Sequence, residues 1–278
     1  MEPADWNGRL YGEVGTTDLA AWRAWLDYPL DLRQGHGALR LWITLAAGKA
    51  SDASADVALS GVVAQLGDAP APLELASVRG RLQGRVRGAG YEISGRNLAL
   101  VPARGAPVAP TDFQLAWRPG GGSLAAKLLD LNALPELMPS FPVAEGLRRR
   151  LAEAAPRGRI EDARFEWQGE LPEPQRFTAR ARFSNLALRP TPSVPGFEGL
   201  SGSIDASDSR GRLVLQSKNA QLELPGLFPE PRISLDALHG QVDWERAGSA
   251  LALRLVSLGF ATTNISMLGF STRSCSLP

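Results

Sequence analysis

Cysteine is almost missing from this chain. Cys275 is the only one, so no internal disulfide can form, and no Cys/His spacing describes a metal site. Histidine is nearly as rare. His36 and His239 each lie beside a glycine at the edge of a strand pattern, and an exposed or turn position is the simplest account of both. Lysine is confined to Lys49, Lys127 and Lys218, and the formal net charge is +1, which gives no general attraction to nucleic acid. No run of about 18 apolar residues exists, so no transmembrane segment is expected. The first residues, Met1 to Trp6, are acidic and lack an apolar centre, so no export signal is read there.

The motifs of common enzyme chemistry are missing as well. Gly199-Leu200-Ser201-Gly202-Ser203 lacks the last glycine of a nucleophile elbow. Gly80/Gly84 and Gly120 to Gly122 lack the strand-then-helix setting of a phosphate loop and read as strand glycines and a hairpin turn. Acidic pairs such as Glu161-Asp162 sit near turns, and Arg148-Arg149-Arg150 shares its helix with Glu145 and Glu153, so both read as solvated. No catalytic residue, cofactor or metal ligand is nominated, and no enzyme is expected.

What the chain does have is alternation. Val78 to Arg87 places Val, Gly, Leu, Gly and Val on one side and Arg, Arg, Gln, Arg and Arg on the other. Arg176 to Phe183 repeats this, with Phe177, Ala179, Ala181 and Phe183 against Arg176, Thr178, Arg180 and Arg182. Shorter alternators are Leu39-Leu41-Ile43-Leu45, Phe113-Leu115-Trp117, Leu213-Leu215 and Leu251-Leu253-Leu255. Turn residues punctuate them at Pro70/Pro72, Gly88 to Gly90, Pro119 to Gly122, Pro190 to Gly196, Gly211 and Arg246 to Ser249. Strand plus turn takes about 10 to 15 residues, as in an antiparallel meander. The helices that a parallel βαβ layout needs between its strands are missing.

Helical patterns occur in two places. Thr17 can cap a helix over about 18–28, with Leu19, Trp22 and Leu26 on one side and Pro29 as its stop. A helical hairpin is expected near 131–155, with arms over 131–138 and 143–154 broken by Pro139, Pro142 and Pro156. Asn97-Leu98-Ala99-Leu100 recurs as Asn185-Leu186-Ala187-Leu188, a weak internal repeat. Residues 1–266 read as one continuous β-rich segment. Residues 267–278 mix Ser, Arg, Cys and Pro without alternation and read as a tail.

Alternation alone leaves two readings of the apolar face. It is either the core of a closed β-sandwich, binding a protein partner as an adaptor, or the inside of an open sheet that holds lipid. The long runs Ser51 to Leu66 and Ala76 to Arg87 favour the second, since five or six residues is usual in a compact sandwich.

Several segments resemble the YhdP-type members of the AsmA-like family of Gram-negative bacteria. They are Trp22 to Leu26, Gly37 to Trp42, Pro156 to Ile160, Phe183 to Leu186, Val194 to Gly202 and Leu224 to Phe228. The resemblance covers roughly residues 5–265 and marks no active site. It implies a long parent protein anchored in the inner membrane, crossing the periplasm as a curved, twisted, trough-like sheet. This chain then reads as an interior fragment of a bridge-like phospholipid transfer protein. Its partners would be phospholipid acyl chains and the flanking repeats of the parent. On this reading the groove is lined by Leu39, Leu41, Ile43, Val57, Leu59, Val78, Leu82, Val86, Phe113, Leu115, Phe177, Phe183, Leu213, Leu215, Leu251 and Leu253.

Overall fold

A computed structural model describes residues 6–18, 21, 31–171, 173–191, 194–224, 232–248 and 250–262. The chain divides into two compact units, residues 1–128 with 133–148 and residues 129–132 with 149–278. The first holds β1 (Gly8–Asp18), β2 (Asp31–Ala46), β3 (Lys49–Gln65), β4 (Leu73–Arg87), β5 (Gly90–Pro102), β6 (Val108–Arg118) and most of β7 (Gly121–Asp130). The second holds β8 (Arg157–Gln168), β9 (Arg176–Leu188), β10 (Gly196–Ser207), β11 (Arg210–Glu223), β12 (Arg232–Ala247) and β13 (Ala250–Ala261). Within each unit the strands lie side by side in chain order, each antiparallel to the next, as an open meander. The mainly β, antiparallel class expected from alternation is therefore the observed one. Long strands are the rule: β3 has 17 residues and β2 has 16.

Tight turns join alternate strand pairs. Ala47 and Gly48 both have positive φ (49° and 71°), as a two-residue turn matched to the right-handed twist of a hairpin requires. Gly211, expected in a turn, instead lies inside β11 opposite Trp244. The turn falls at Asp208–Ser209, and a side chain at 211 would strike the Trp244 ring.

Bulges recur with one recipe. Asn97, Asn185 and Asn219 adopt the left-handed conformation, with φ of 48°, 50° and 53°. Asparagine tolerates it because its short side chain crowds the backbone little. A positive-φ glycine on the preceding strand lies against each of them: Gly80 against Asn97, Gly158 against Asn185, Gly199 against Asn219. A Cβ on Gly80 would sit 2.9 Å from the Asn97 carbonyl oxygen, and one on Gly158 would sit 2.5 Å from that of Asn185. The N–H freed at the bulge finds a side chain on the following strand. Asn97 donates to Asp112 Oδ1 (2.7 Å) and Asn185 to Ser201 Oγ (3.1 Å). The Asn-Leu-Ala-Leu repeat in the sequence is this bulge.

Between β7 and β8 the backbone makes a 3-10 turn (Leu131–Ala133), α1 (Leu134–Leu137), a second 3-10 turn (Met138–Ser140) and α2 (Glu145–Ala154). The helical hairpin is thus present, its first arm reduced to short turns by Pro135 and Pro139. The expected N-terminal helix is corrected where it can be seen. Thr17 and Asp18 end β1, paired to Gly37 and His36, because the ladder satisfies their backbone groups. Apart from Ala21, the rest of 19–28 lies outside the described residues, as does the tail 267–278.

Among the described residues each unit has an apolar cluster. In the first, Leu32, Leu59, Val62, Ala64, Leu75, Val78 and Leu98 are buried, with Leu39, Val57, Leu82, Phe113 and Leu137 packed against them. Leu137 comes from α1, so the short helical segment covers this part of the sheet. It is tied down by the buried Ser140, whose Oγ donates to the Pro72 carbonyl (2.9 Å), and by the Ala71 N–H, which donates to the Pro139 carbonyl (3.2 Å). In the second unit Leu200, Ala220, Leu235 and Leu238 form the cluster, bordered by Phe183, Leu186, Phe197 and Leu215.

Candidate functional site

Strand register decides which side chains share a face, because directly opposed residues point the same way. In the first unit one row crosses all seven strands: Leu10, Ile43, Ala53, Gly84, Ile93, Leu115, Leu124. The next row is Gly12, Leu41, Ala55, Leu82, Gly95, Phe113, Ala126. Leu39 lies opposite Val57, and Leu59 opposite Val78. Val86 lies opposite Tyr91, which lies opposite Trp117. All ten residues nominated in this unit therefore fall on one face.

The same holds in the second unit. Phe177 is opposite Trp167, and Phe183 is opposite Ile160 and Gly202. Leu213 lies between Ile204 and Val242, and Leu215 between Gly202 and Gly240. Leu251 and Leu253 face Arg246 and Trp244. The structure adds residues that alternation missed on this surface: Tyr91, Ile93, Leu98 and Leu100 on β5, and Leu258 and Phe260 on β13. The bulge at Asn97 shifts the period in mid-strand, which hides Leu98 and Leu100 from a period-2 reading.

Coverage of this face is uneven. Leu59 and Val78 are buried, at 9% and 8% exposure. Val86 at 59%, Leu10 at 52% and Ile93 at 40% lie on the same face and are open to solvent. In the second unit Leu251, Leu253 and Leu255 are each about half exposed. Among the described strands of each unit none forms a second sheet over this surface.

The opposite face carries charge in rows. In the first unit Glu13, Arg40, Asp56 and Arg81 oppose one another across four strands. Arg40 Nε donates to Glu13 Oε1 at 2.8 Å, and Arg81 donates to both Asp56 oxygens at 2.5 and 2.7 Å. The bidentate Arg81 holds the Asp56 carboxyl below the usual carboxylate range. Tyr11, and then Arg40, do the same for Glu13. The Arg81 guanidinium also lies 5.4 Å from the centre of the Trp42 ring. In the second unit the row reads Arg164, Arg180, Asp205, Arg212, Asp243, Arg254. Arg180 reaches Asp205 at 2.9 Å, and Arg212 grips Asp243 at 2.9 and 3.1 Å, lowering its pKa. Of the arginines that alternation puts on the polar side, Arg79, Arg81, Arg85, Arg180 and Arg182, the last four are paired on the ionic face of their own unit.

The face pattern offers one chemistry: a wide apolar surface that can take hydrocarbon, backed by a hydrated ionic one. His36 and His239 stand exposed on strands, and His36 Nε2 is 3.8 Å from Asp18. Among the described residues no group of three or more His, Cys, Asp and Glu side chains is placed to hold a metal ion. Among them, too, no helix is long and apolar enough to cross a membrane.

A family model described as YhdP protein matches residues 1–274. No curated protein and no solved structure matches the chain.

Proposed function

This chain belongs to the YhdP protein family, and from that premise we propose that it is a segment of a bridge-like carrier moving phospholipid between the inner and outer membranes. Membership of that family supports a lipid-transport role in the cell envelope. The specific role assigned here is to shield acyl chains on the apolar face while they travel.

The physical need is large. Exposing a chain of about 16 carbons to water costs roughly 12 kcal/mol, at about 0.8 kcal/mol per methylene. A surface of Leu, Val, Ile and Phe removes that barrier without a tight site, and a lipid bound too tightly would not leave. The observation that carries the reading is the half-open state of Val86 and Ile93 in the first unit and of Leu251 and Leu253 in the second, each pair on its own unit's apolar face, which also holds that unit's buried cluster. A sealed sandwich acting as an adaptor would bury these positions, so that reading is not favoured.

A direct test measures binding of a fluorescent phosphatidylethanolamine to the purified chain. Wild type should bind. Ile93→Arg combined with Leu253→Arg should bind much less, because both put a charge on the apolar face at exposed, fold-tolerant positions. Glu92→Arg, on the other face, should leave binding intact. Equal binding by all three proteins, or none by wild type, would sink the proposal.

A further inference from the structure

Residues 133–142, between β7 and β8, belong to the first unit and lie on part of its apolar face. Leu137 packs on the cluster that holds Leu59, Val78 and Leu98, while Val86 and Ile93 stand open on the same face. Val78 and Val86 share one side of β4, so the covered and open parts are one continuous surface.

This cover is lightly built. α1 has four residues, too few to hold a helical shape alone. Neither α1 nor α2 contributes a buried residue; the buried ones are Ala133 and Ser140, in the 3-10 turns on either side of α1. The segment docks on two loops. On the β3–β4 loop, Ser140 Oγ donates to the Pro72 carbonyl (2.9 Å) and the Ala71 N–H donates to the Pro139 carbonyl (3.2 Å). On the β5–β6 loop, Glu136 lies over Gly105, its Cγ 3.0 Å from where a Cβ would stand. Both loops are also braced from the sheet itself. Gln65 Nε2 donates to the Ala69 carbonyl at 2.7 Å, and the Ala103 N–H donates to the Glu74 carbonyl at 3.0 Å. Pro135, Pro139 and Pro142 each fix φ, so the segment keeps much of its shape when it is free.

Resting on the lipid reading, we propose that residues 133–142 form an autoinhibitory cover. Leu137 occupies ground that an acyl chain would take, and the cover lifts to let phospholipid load onto Leu59, Val78 and Leu98. A leucine side chain and a lipid methylene both keep water off this face, so loading exchanges one apolar contact for another. The closed form adds the two hydrogen bonds to the β3–β4 loop. A ligand that meets only the open form draws the population toward it, and its apparent affinity falls by the fraction that stays closed.

The contact between Pro142 and Gly67 supplies a lock. A Cβ on Gly67 would stand 3.9 Å from the Cβ of Pro142, within the span of a disulfide. Gly67→Cys with Pro142→Cys, in a chain that also carries Cys275→Ser, should bridge the cover to the loop on oxidation. Binding of a fluorescent phosphatidylethanolamine to the full chain is measured in the oxidised and reduced forms. The reduced form should match the Cys275→Ser chain, and oxidation should weaken binding by about threefold or more. Equal binding by both forms, with the bridge confirmed by mass, overturns the cover and leaves the lipid reading standing. No binding by the Cys275→Ser chain overturns both. Where the double-cysteine chain does not fold, Leu137→Ser decides: it loosens the cover, so binding should tighten by about threefold, and no tightening overturns the proposal.

Discussion

The backbone N–H of Asn97 donates to Asp112 Oδ1 across 2.7 Å, and so a carboxylate on β6 closes the bulge in β5. Lys127 holds the other oxygen of the same carboxylate at 2.9 Å. Together, Asn97 first, they keep the Asp112 carboxyl below its ordinary range. A carboxyl lowered in the folded state stabilises at pH values above its unfolded pKa, and the stabilisation fades as pH falls through the folded value. Asp112→Asn should therefore melt at a lower temperature than wild type at neutral pH. The gap should narrow once pH drops below about 4, where the unfolded carboxyl begins to take up its proton. Thermal melts across that range check both points, and a gap that stays constant with pH would contradict them.

The glycines behind the bulges should resist substitution according to geometry. Gly80→Ala and Gly158→Ala place a Cβ against the backbone of Asn97 and Asn185 at positive φ. Each should cost more than about 1 kcal/mol in a urea titration. Gly84→Ala is the control. It lies on the same strand as Gly80, and nothing stands within 4 Å of the added carbon. It should be neutral or mildly stabilising.

One face with two degrees of coverage should show two mutational costs. Leu59→Ala removes a side chain from the buried cluster and should cost about 2–5 kcal/mol. Val86→Ala, on the same face but 59% exposed, should stay within about 0.5 kcal/mol. Equal losses at the two sites in chemical denaturation would mean that the open part of the face is in fact a core.

Much of this arrangement was legible in the sequence. Val78 to Arg87 and Arg176 to Phe183 alternate without interruption, so both faces of β4 and β9 could be read directly, and their arginines stand on the polar face as expected. The missed pieces have separate causes. At Asn97 and Asn185 a bulge changes the period inside a strand, and Gly211 looks like a turn because only the distant Trp244 explains it. In β1, Gly8, Gly12 and Gly15 dilute the alternation, and Thr17-Asp18 imitates a helix start. Whether the apolar face is covered could not be read from the strands at all. That depends on Leu137 and on a hydrogen bond joining Ser140 to Pro72, contacts remote in sequence.

The most direct test of the central claim is photo-crosslinking of phospholipid to single positions in cells. A photoreactive residue would replace Ile93 or Leu253 on the apolar face, and Glu92 or Arg212 on the ionic face. The account predicts phospholipid adducts at Ile93 and Leu253 and none at Glu92 or Arg212. Adducts at all four positions alike, or at none of them, would contradict it.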